Sequence, residues 1–303
     1  MLRAALYDRT GEPDVLYVGS VPEDAPGDGE VVLRVRAAGL NPFDAKLLSA
    51  FIPSDAPFPR RVASDVAGVV SAVGPGAVYW DGTPVAVGDE VLGSATGSAA
   101  ENAVALASDL ARRPASVDAA VAGGLKMAGL TAVSVLATVP VGAGDTVLVG
   151  GAAGAVGLVA AQLAVEAGAR VIGTASEHNH ELLRSLGVEP VAYGPELVSS
   201  LQGVELTAVY DCHGRDALDA GVALGVPVDR MVAIAAYAAL DELGVNNVER
   251  SARTAENLAG LVDRVARGAL RLPVAAAFAL DEVADAFRAV GSAHAAGKVV
   301  VTV

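Results

Sequence analysis

The period of the hydrophobic positions changes along this chain. Up to Pro114, apolar residues alternate or run in short blocks between glycines and prolines. Val31–Arg36 alternates and is rich in β-branched residues, which predicts a half-buried strand. Val66–Val73 predicts another strand, closed by Gly74-Pro75-Gly76, and Val87–Gly93 predicts a turn followed by a short strand. Many short strands punctuated in this way point to a compact β-barrel-type domain. After Pro114 the pattern lengthens. Val117–Leu136 is compatible with helix. Strands are then expected at Thr146–Val149, Ala169–Thr174, Val209–Asp211 and Met231–Ile234, with helices at Val156–Ala167 and Asn179–Leu186. Such alternation predicts a parallel sheet with helices on both faces. Thr254–Ala269 is amphipathic, and Leu280–Val290 carries Asp281-Glu282 in its first turn, where acids complement the helix dipole. Lys298–Val303 reads as a closing strand. The expected class is therefore α/β, with a β-barrel-type domain first, a doubly wound parallel-sheet domain after it, and a tail of different pattern.

Composition narrows the picture. With 303 residues, 53% hydrophobic and 18% charged, the chain can bury a large core and is not of the disordered class. Aromatic residues are only 4%, so that core is built from Ala, Val and Leu. A formal charge of -14 disfavours nucleic acid and anionic membrane surfaces as partners. The uncharged run between Asp145 and Glu166 resembles a membrane span by hydropathy, but its glycines divide it into strand, turn and helix. The single cysteine, Cys212, allows no intramolecular disulfide and no thiolate-rich zinc site. It agrees with a reducing compartment, and Met1–Asp8 lacks the apolar run of a signal peptide, so a cytoplasmic protein is expected.

The most informative motif is Gly150-Gly151-Ala152-Ala153-Gly154-Ala155-Val156-Gly157, between a strand and a helix. Glycines at 151, 154 and 157 let the backbone turn tightly and approach a pyrophosphate, while the helix N-terminus offers free N–H groups. A second strand follows at Val171, as a dinucleotide site requires. The turn therefore predicts a nicotinamide dinucleotide, with Gly151, Gly154, Ala155, Val156 and Gly157 against its phosphates. After the second strand comes Thr174-Ala175-Ser176-Glu177-His178-Asn179. An acid in this region reads the ribose of NAD, whereas hydroxyls and cations suit the 2′-phosphate of NADP. Ser176, His178 and Asn179 favour NADPH over NADH; Glu177 argues the other way if it points into the site, and His178 can equally be an exposed residue of a first helical turn.

These residues resemble the medium-chain dehydrogenase/reductase superfamily, in its zinc-independent quinone oxidoreductase-like branch. The likeness runs in order through Asn41-Pro42-Phe43-Asp44, Ser64–Val70, Val87–Gly93, Gly129-Leu130-Thr131-Ala132, Gly142–Val149, the glycine turn and Gly297-Lys298-Val299-Val300. It implies a GroES-like catalytic domain over 1–118, completed by a C-terminal return over 251–303, and a Rossmann domain over 119–250. It also implies a cleft where nicotinamide meets a small-molecule substrate, Thr131 near the nicotinamide, Tyr193 on the adenosine phosphate, and a homodimer joined through an edge strand at Met231–Ala235. Zinc-dependent relatives place metal ligands where this chain has Asn41, Ser64-Asp65 and the Gly123-Gly124 region, so no zinc is expected. The chain departs from the pattern at Val62-Ala63, where Pro-Gly is usual. It also departs at Lys46, where the quinone-reducing branch often has tyrosine; the Asn-Pro-x-Asp-x-Lys pattern looks more like enone and enal reductases.

Without a metal, a hydride goes most readily to an activated C=C bond or a quinone. The expected function is an NADPH-dependent reductase of such acceptors. Lys46 and Asn41 are the candidate catalytic residues: an ammonium at 46 can stabilise developing charge on oxygen, and Asn41 can hydrogen-bond a carbonyl or the ribose. Lys46 can instead be a surface residue or pair with Asp44, which is read as mainly structural. Only Lys46, Lys126 and Lys298 are lysines among 21 cationic side chains, which singles them out. Phe51, Tyr79 and Trp80 are candidates for the substrate cleft, although the last two can also dock on another subunit or pack on their own hairpin. Cys212 is read as a small buried residue, His213 as able to face the cofactor ribose without a catalytic role, and His294 as exposed on a loop. Two rivals remain open at this point: a tailoring enoyl or ketone reductase acting on a large polyketide-like substrate, and a non-catalytic NADPH-binding redox sensor.

Overall fold

The computed structural model describes residues 1–290 and 296–303; His294 lies outside them. The described chain divides into two units, Met1–Met127 with Thr254–Val303, and Ala128–Arg253. The boundary falls inside the helix Ala119–Thr138. That helix is long and apolar enough to cross a membrane by length and composition, and 56% of it is buried within the fold.

The first unit is organised on one long strand, Glu30–Leu40. On one side it pairs antiparallel with Asp65–Val73. On the other side its first half pairs with Asn102–Leu106 and its second half with Lys298–Thr302. Glu90–Ser94 and Ala111–Arg112 extend the sheet at one edge, and Val274–Ala279 does so at the other. Register shifts at Val32/Leu33 and Val35/Ala37 bend the long strand, since a bulge raises local twist. Arg34 and Arg36 point outward between buried neighbours, but Ala37–Leu40 are all buried. A smaller sheet of Tyr17–Val21, Leu2–Tyr7 and Arg60–Arg61 completes the unit.

The second unit is a six-stranded parallel sheet. Its order is Glu189–Val191, Arg170–Thr174, Thr146–Gly150, Ala208–Asp211, Met231–Ala233, Asn246–Asn247. Val147, Leu148 and Val149 are wholly buried, as expected of strands covered on both faces. The strand order reverses at Thr146–Gly150, so the crevice at its carboxyl end is the place where such sheets bind ligands. The uncharged run 145–166 resolves into this strand and the helix Ala155–Glu166. One expectation is corrected. Met231–Ala233 is not an edge strand, because Asn246–Asn247 pairs with it through Val232 and Ala233.

Candidate functional site

In the second unit the glycine turn is closed by its own backbone. Gly151 takes a left-handed φ of 67°. Its N–H donates to the Thr174 hydroxyl at 2.9 Å, and the Ala152 N–H donates to the Thr174 carbonyl at 2.9 Å. The Gly154 N–H then returns to the Gly151 carbonyl at 3.0 Å. A Cβ on Gly157 would lie 2.2 Å from that same carbonyl oxygen, so only glycine lets the helix start this close to the turn. Gly154 is the N-cap of Ala155–Glu166 and is exposed. The N–H groups of Ala155, Val156 and Gly157 belong to the first turn, where no intrahelical acceptor exists, and no acid stands there. A ready anion site results.

The residues predicted to read the ribose gather beyond the next strand. Arg170–Thr174 ends without an acid, and Ser176 N-caps a short turn over Glu177–Asn179. The Asn179 amide donates to the Ser176 hydroxyl at 3.2 Å, and His178 Nε2 lies 3.5 Å from that hydroxyl. Ser176 and His178 are accessible, whereas Asn179 is buried and serves to hold Ser176. Glu177 is exposed and lies three residues beyond the strand end. Tyr193 does not directly follow the helix His180–Ser185; the strand Glu189–Val191 intervenes, and Tyr193 is exposed just past it. That strand pairs with Thr174, so Tyr193 belongs to the same flank of the sheet. Thr131 is buried in its helix. His213 is exposed beside the turn: a Cβ on Gly151 would lie 2.4 Å from His213 Cβ. Cys212 is half-buried with its thiol pushed up by burial, so it is no ready nucleophile.

In the first unit, Asn41 N-caps the helix Pro42–Leu48 in a reciprocal capping box with Asp44. The Asn41 amide donates to Asp65 Oδ2 at 3.2 Å. The Lys298 ammonium donates to the Asn41 carbonyl oxygen and to Asp65 Oδ2, the latter at 3.3 Å. The Met127 N–H adds a bond to Asp65 Oδ2 at 3.2 Å. Lys298 is only 3% exposed and Asp65 0%. Its aliphatic stem fits there because Gly124 has no side chain: a Cβ would come 2.4 Å from Lys298 Cγ. Burial, and then the neighbouring Asp65, push the Asp44 carboxyl up to about 6, against the Asn41 hydrogen bonds and Lys298. The buried cluster of Lys298 with Asn41 and Asp65 is what sequence reading passed over; the rarity of Lys298 as a lysine was the available signal.

Lys46 and Asp44 sit on one helix but line different cavities, and Asn41, its N-cap, lines neither. Lys46 lines a cavity of about 550 Å³ with Phe51, Leu48 and Phe287, its ammonium 5.7 Å from the Phe51 ring centroid. Asp44 lines another of about 570 Å³ with Phe43, Ser64 and Thr96. Phe51 is 72% exposed. Tyr79 is not a cleft residue: it is 2% exposed, packs in the barrel core, and donates its hydroxyl to Asp89 at 2.8 Å beneath the Arg112 guanidinium. A phenol with a carboxylate partner inside its own hairpin is satisfied where it stands. Trp80 next to it is exposed.

Comparison with known proteins fits both units. Residues 27–139 match the alcohol dehydrogenase GroES-like domain and 186–301 match a family described as zinc-binding dehydrogenase. The chain is 33% identical over 320 residues to the chloroplastic NADPH-dependent alkenal/one oxidoreductase of Arabidopsis thaliana, covering 99% of this chain and 79% of that one. It is 32% identical over 299 residues to the pikromycin polyketide synthase component PikAII of Streptomyces venezuelae, covering 91% of this chain but spanning only 8% of that protein. A mycobacterial quinone oxidoreductase structure matches with a TM-score of 0.83 and 31% identity, covering 100% of both chains. Each is a similarity in sequence or fold, and together with the turn they decide against a non-catalytic module. The chain belongs to the medium-chain dehydrogenase/reductase superfamily, in its quinone oxidoreductase-like branch, and is an oxidoreductase of that kind.

Proposed function

We propose that the chain is an NADPH-dependent reductase of activated C=C bonds, as in enones, or of quinones, and that it works without zinc. The observation that carries the metal-free reading is the buried Lys298 ammonium. It fills the space between Asn41 and Asp65, and a second cation against it would be repelled. The donors are also wrong for zinc: an amide, a carboxylate already bonded, and glycines, with the sole cysteine in the other unit. Among the described residues no cluster of three His, Cys, Asp or Glu side chains is set to hold a metal.

The dinucleotide fits the turn. Ala155, Val156 and Gly157 would hold its pyrophosphate through their N–H groups, and Ser176 and His178 would take the 2′-phosphate. Bound there, it would supply a hydride. With no Lewis acid to polarise an alcohol, the acceptor must already be electrophilic at carbon. Lys46 would stabilise charge developing on the acceptor oxygen, in a cavity walled by Phe51, Leu48 and Phe287. The similarity to an NADPH-dependent alkenal/one oxidoreductase supports this reading. The chain would work as a homodimer in the cytoplasm. The test is a panel of enones, enals and quinones with NADPH and with NADH, followed by loss of reduced-cofactor absorbance. Oxidation of NADPH by an enone or a quinone is expected. Cofactor binding with no acceptor turned over would contradict it.

The match to PikAII favours a second reading, a tailoring enoyl reductase on a large polyketide-like substrate. Turnover of an acyl thioester enoyl substrate well above that of small enones would select it.

A further inference from the structure

Asp211 ends the strand Ala208–Asp211, next to the strand that carries the glycine turn, and is 0% exposed. Among the described residues no cation pairs with it. Its carboxylate is held by four backbone N–H groups from two different loops. Oδ1 accepts from His213 at 2.9 Å and Gly214 at 2.6 Å. Oδ2 accepts from Ala235 at 3.1 Å and Ala236 at 2.8 Å. The first loop also leans on the glycine turn: the Cys212 N–H donates to the Gly150 carbonyl at 3.1 Å, and His213 packs at Gly151. The second loop follows Met231–Ala233.

Both loops lie at the carboxyl ends of strands on one side of Thr146–Gly150, where an open parallel sheet binds its ligand. The ribose-reading residues lie on the opposite side, beyond Arg170–Thr174. A dinucleotide centred on the turn with its adenosine half at Ser176 must extend its nicotinamide half toward the Asp211 side. We propose that Asp211 is a positioning residue for that half: one buried carboxylate fixes, through four backbone donors, the two loops that form its wall. This rests on the dinucleotide reading of the turn. A buried carboxylate without a cation is costly unless its hydrogen bonds are complete, and here they tie together two segments that sequence separates by about twenty residues.

The test compares two ligands on two variants. Asp211→Asn turns an N–H₂ toward backbone donors and can satisfy only one loop. Ala236→Pro removes a single donor at a φ of -86°, near the range that proline accepts, and leaves Asp211 in place. NADPH and adenosine 2′,5′-bisphosphate, which is the adenosine half alone, are titrated by calorimetry on the full chain. In both variants the NADPH dissociation constant should rise at least about ten-fold, the worth of roughly one charge-assisted hydrogen bond. The bisphosphate should bind as in wild type, which also reports an intact second unit. Equal loss of both ligands, or no loss of NADPH, overturns the proposal. If Asp211→Asn does not fold, Ala236→Pro decides alone. Wild type binding neither ligand would instead overturn the dinucleotide reading itself.

Discussion

Gly154→Asp should stabilise the chain and weaken its cofactor binding, two effects of opposite sign from one carboxylate. Gly154 is the N-cap of Ala155–Glu166 with φ -72°, so an L-residue is not strained there. A Cβ would meet only the Gly151 carbonyl oxygen, at 3.3 Å, and a shift of a few tenths of an ångström relieves that contact. Aspartate is a better N-cap than glycine by a few tenths of a kcal/mol. Its charge at the positive end of the helix adds about 0.3–1 kcal/mol. Together these give a gain on the order of 1 kcal/mol, read as a higher denaturation midpoint. The same carboxylate would stand where the pyrophosphate docks. A unit charge about 5 Å away, at an effective dielectric constant of about 20, costs about 3 kcal/mol, or more than 100-fold in affinity. Because the effect is electrostatic and partly exposed, added salt should recover part of it. The assay is calorimetric titration of NADPH beside a urea melt. A stabilised variant that still binds NADPH like wild type would refute the placement of the phosphates on this helix terminus.

Other outcomes follow from the first unit. Lys298→Met should destabilise the chain by about 3–5 kcal/mol in chemical denaturation, because Asp65 and Asn41 lose a buried cation; a loss below about 1 kcal/mol would show that the cluster is not held by that charge. Asp44 has its carboxyl raised from 3.8 to about 6, so the folded chain holds that proton more tightly than the unfolded one. The resulting stability is fully present below about 3.8 and lost as pH rises through about 6. Asp44→Asn keeps an acceptor for the Asn41 N–H. Its stability relative to wild type should therefore rise across this window, by about 3 kcal/mol at most, in urea melts run at each pH; a difference independent of pH would contradict the raised carboxyl. Lys46→Ala should lower turnover of enones by about ten-fold or more while NADPH affinity stays within about two-fold. Unchanged turnover would remove Lys46 from the mechanism.

The periodic elements were legible, and the tertiary meetings were not. The alternation Val31–Arg36 revealed a strand, but the strand runs on to Leu40 because Ala37–Leu40 are buried without alternating. The helix Pro42–Leu48 escaped notice, although Asn41, a proline at the first helical position and Asp44 three residues past the cap spell an N-terminus. Met231–Ala235 was misplaced as an edge because a two-residue strand, Asn246–Asn247, carries no pattern to read. The glycine turn was legible because its chemistry is local, within one strand, one turn and one helix. Lys298 with Asn41 and Asp65, and Asp211 with its two loops, join residues far apart in sequence, so no spacing announces them. Tyr79 misled by rarity: in a chain poor in aromatics it is a core residue.

The most direct measurement is a side-by-side calorimetric titration of the wild-type chain with NADPH and with NADH. A glycine turn flanked by Ser176 and His178, with no acid at the end of Arg170–Thr174, predicts one NADPH bound per chain, more tightly than NADH. Binding of neither, or tighter binding of NADH, would contradict it.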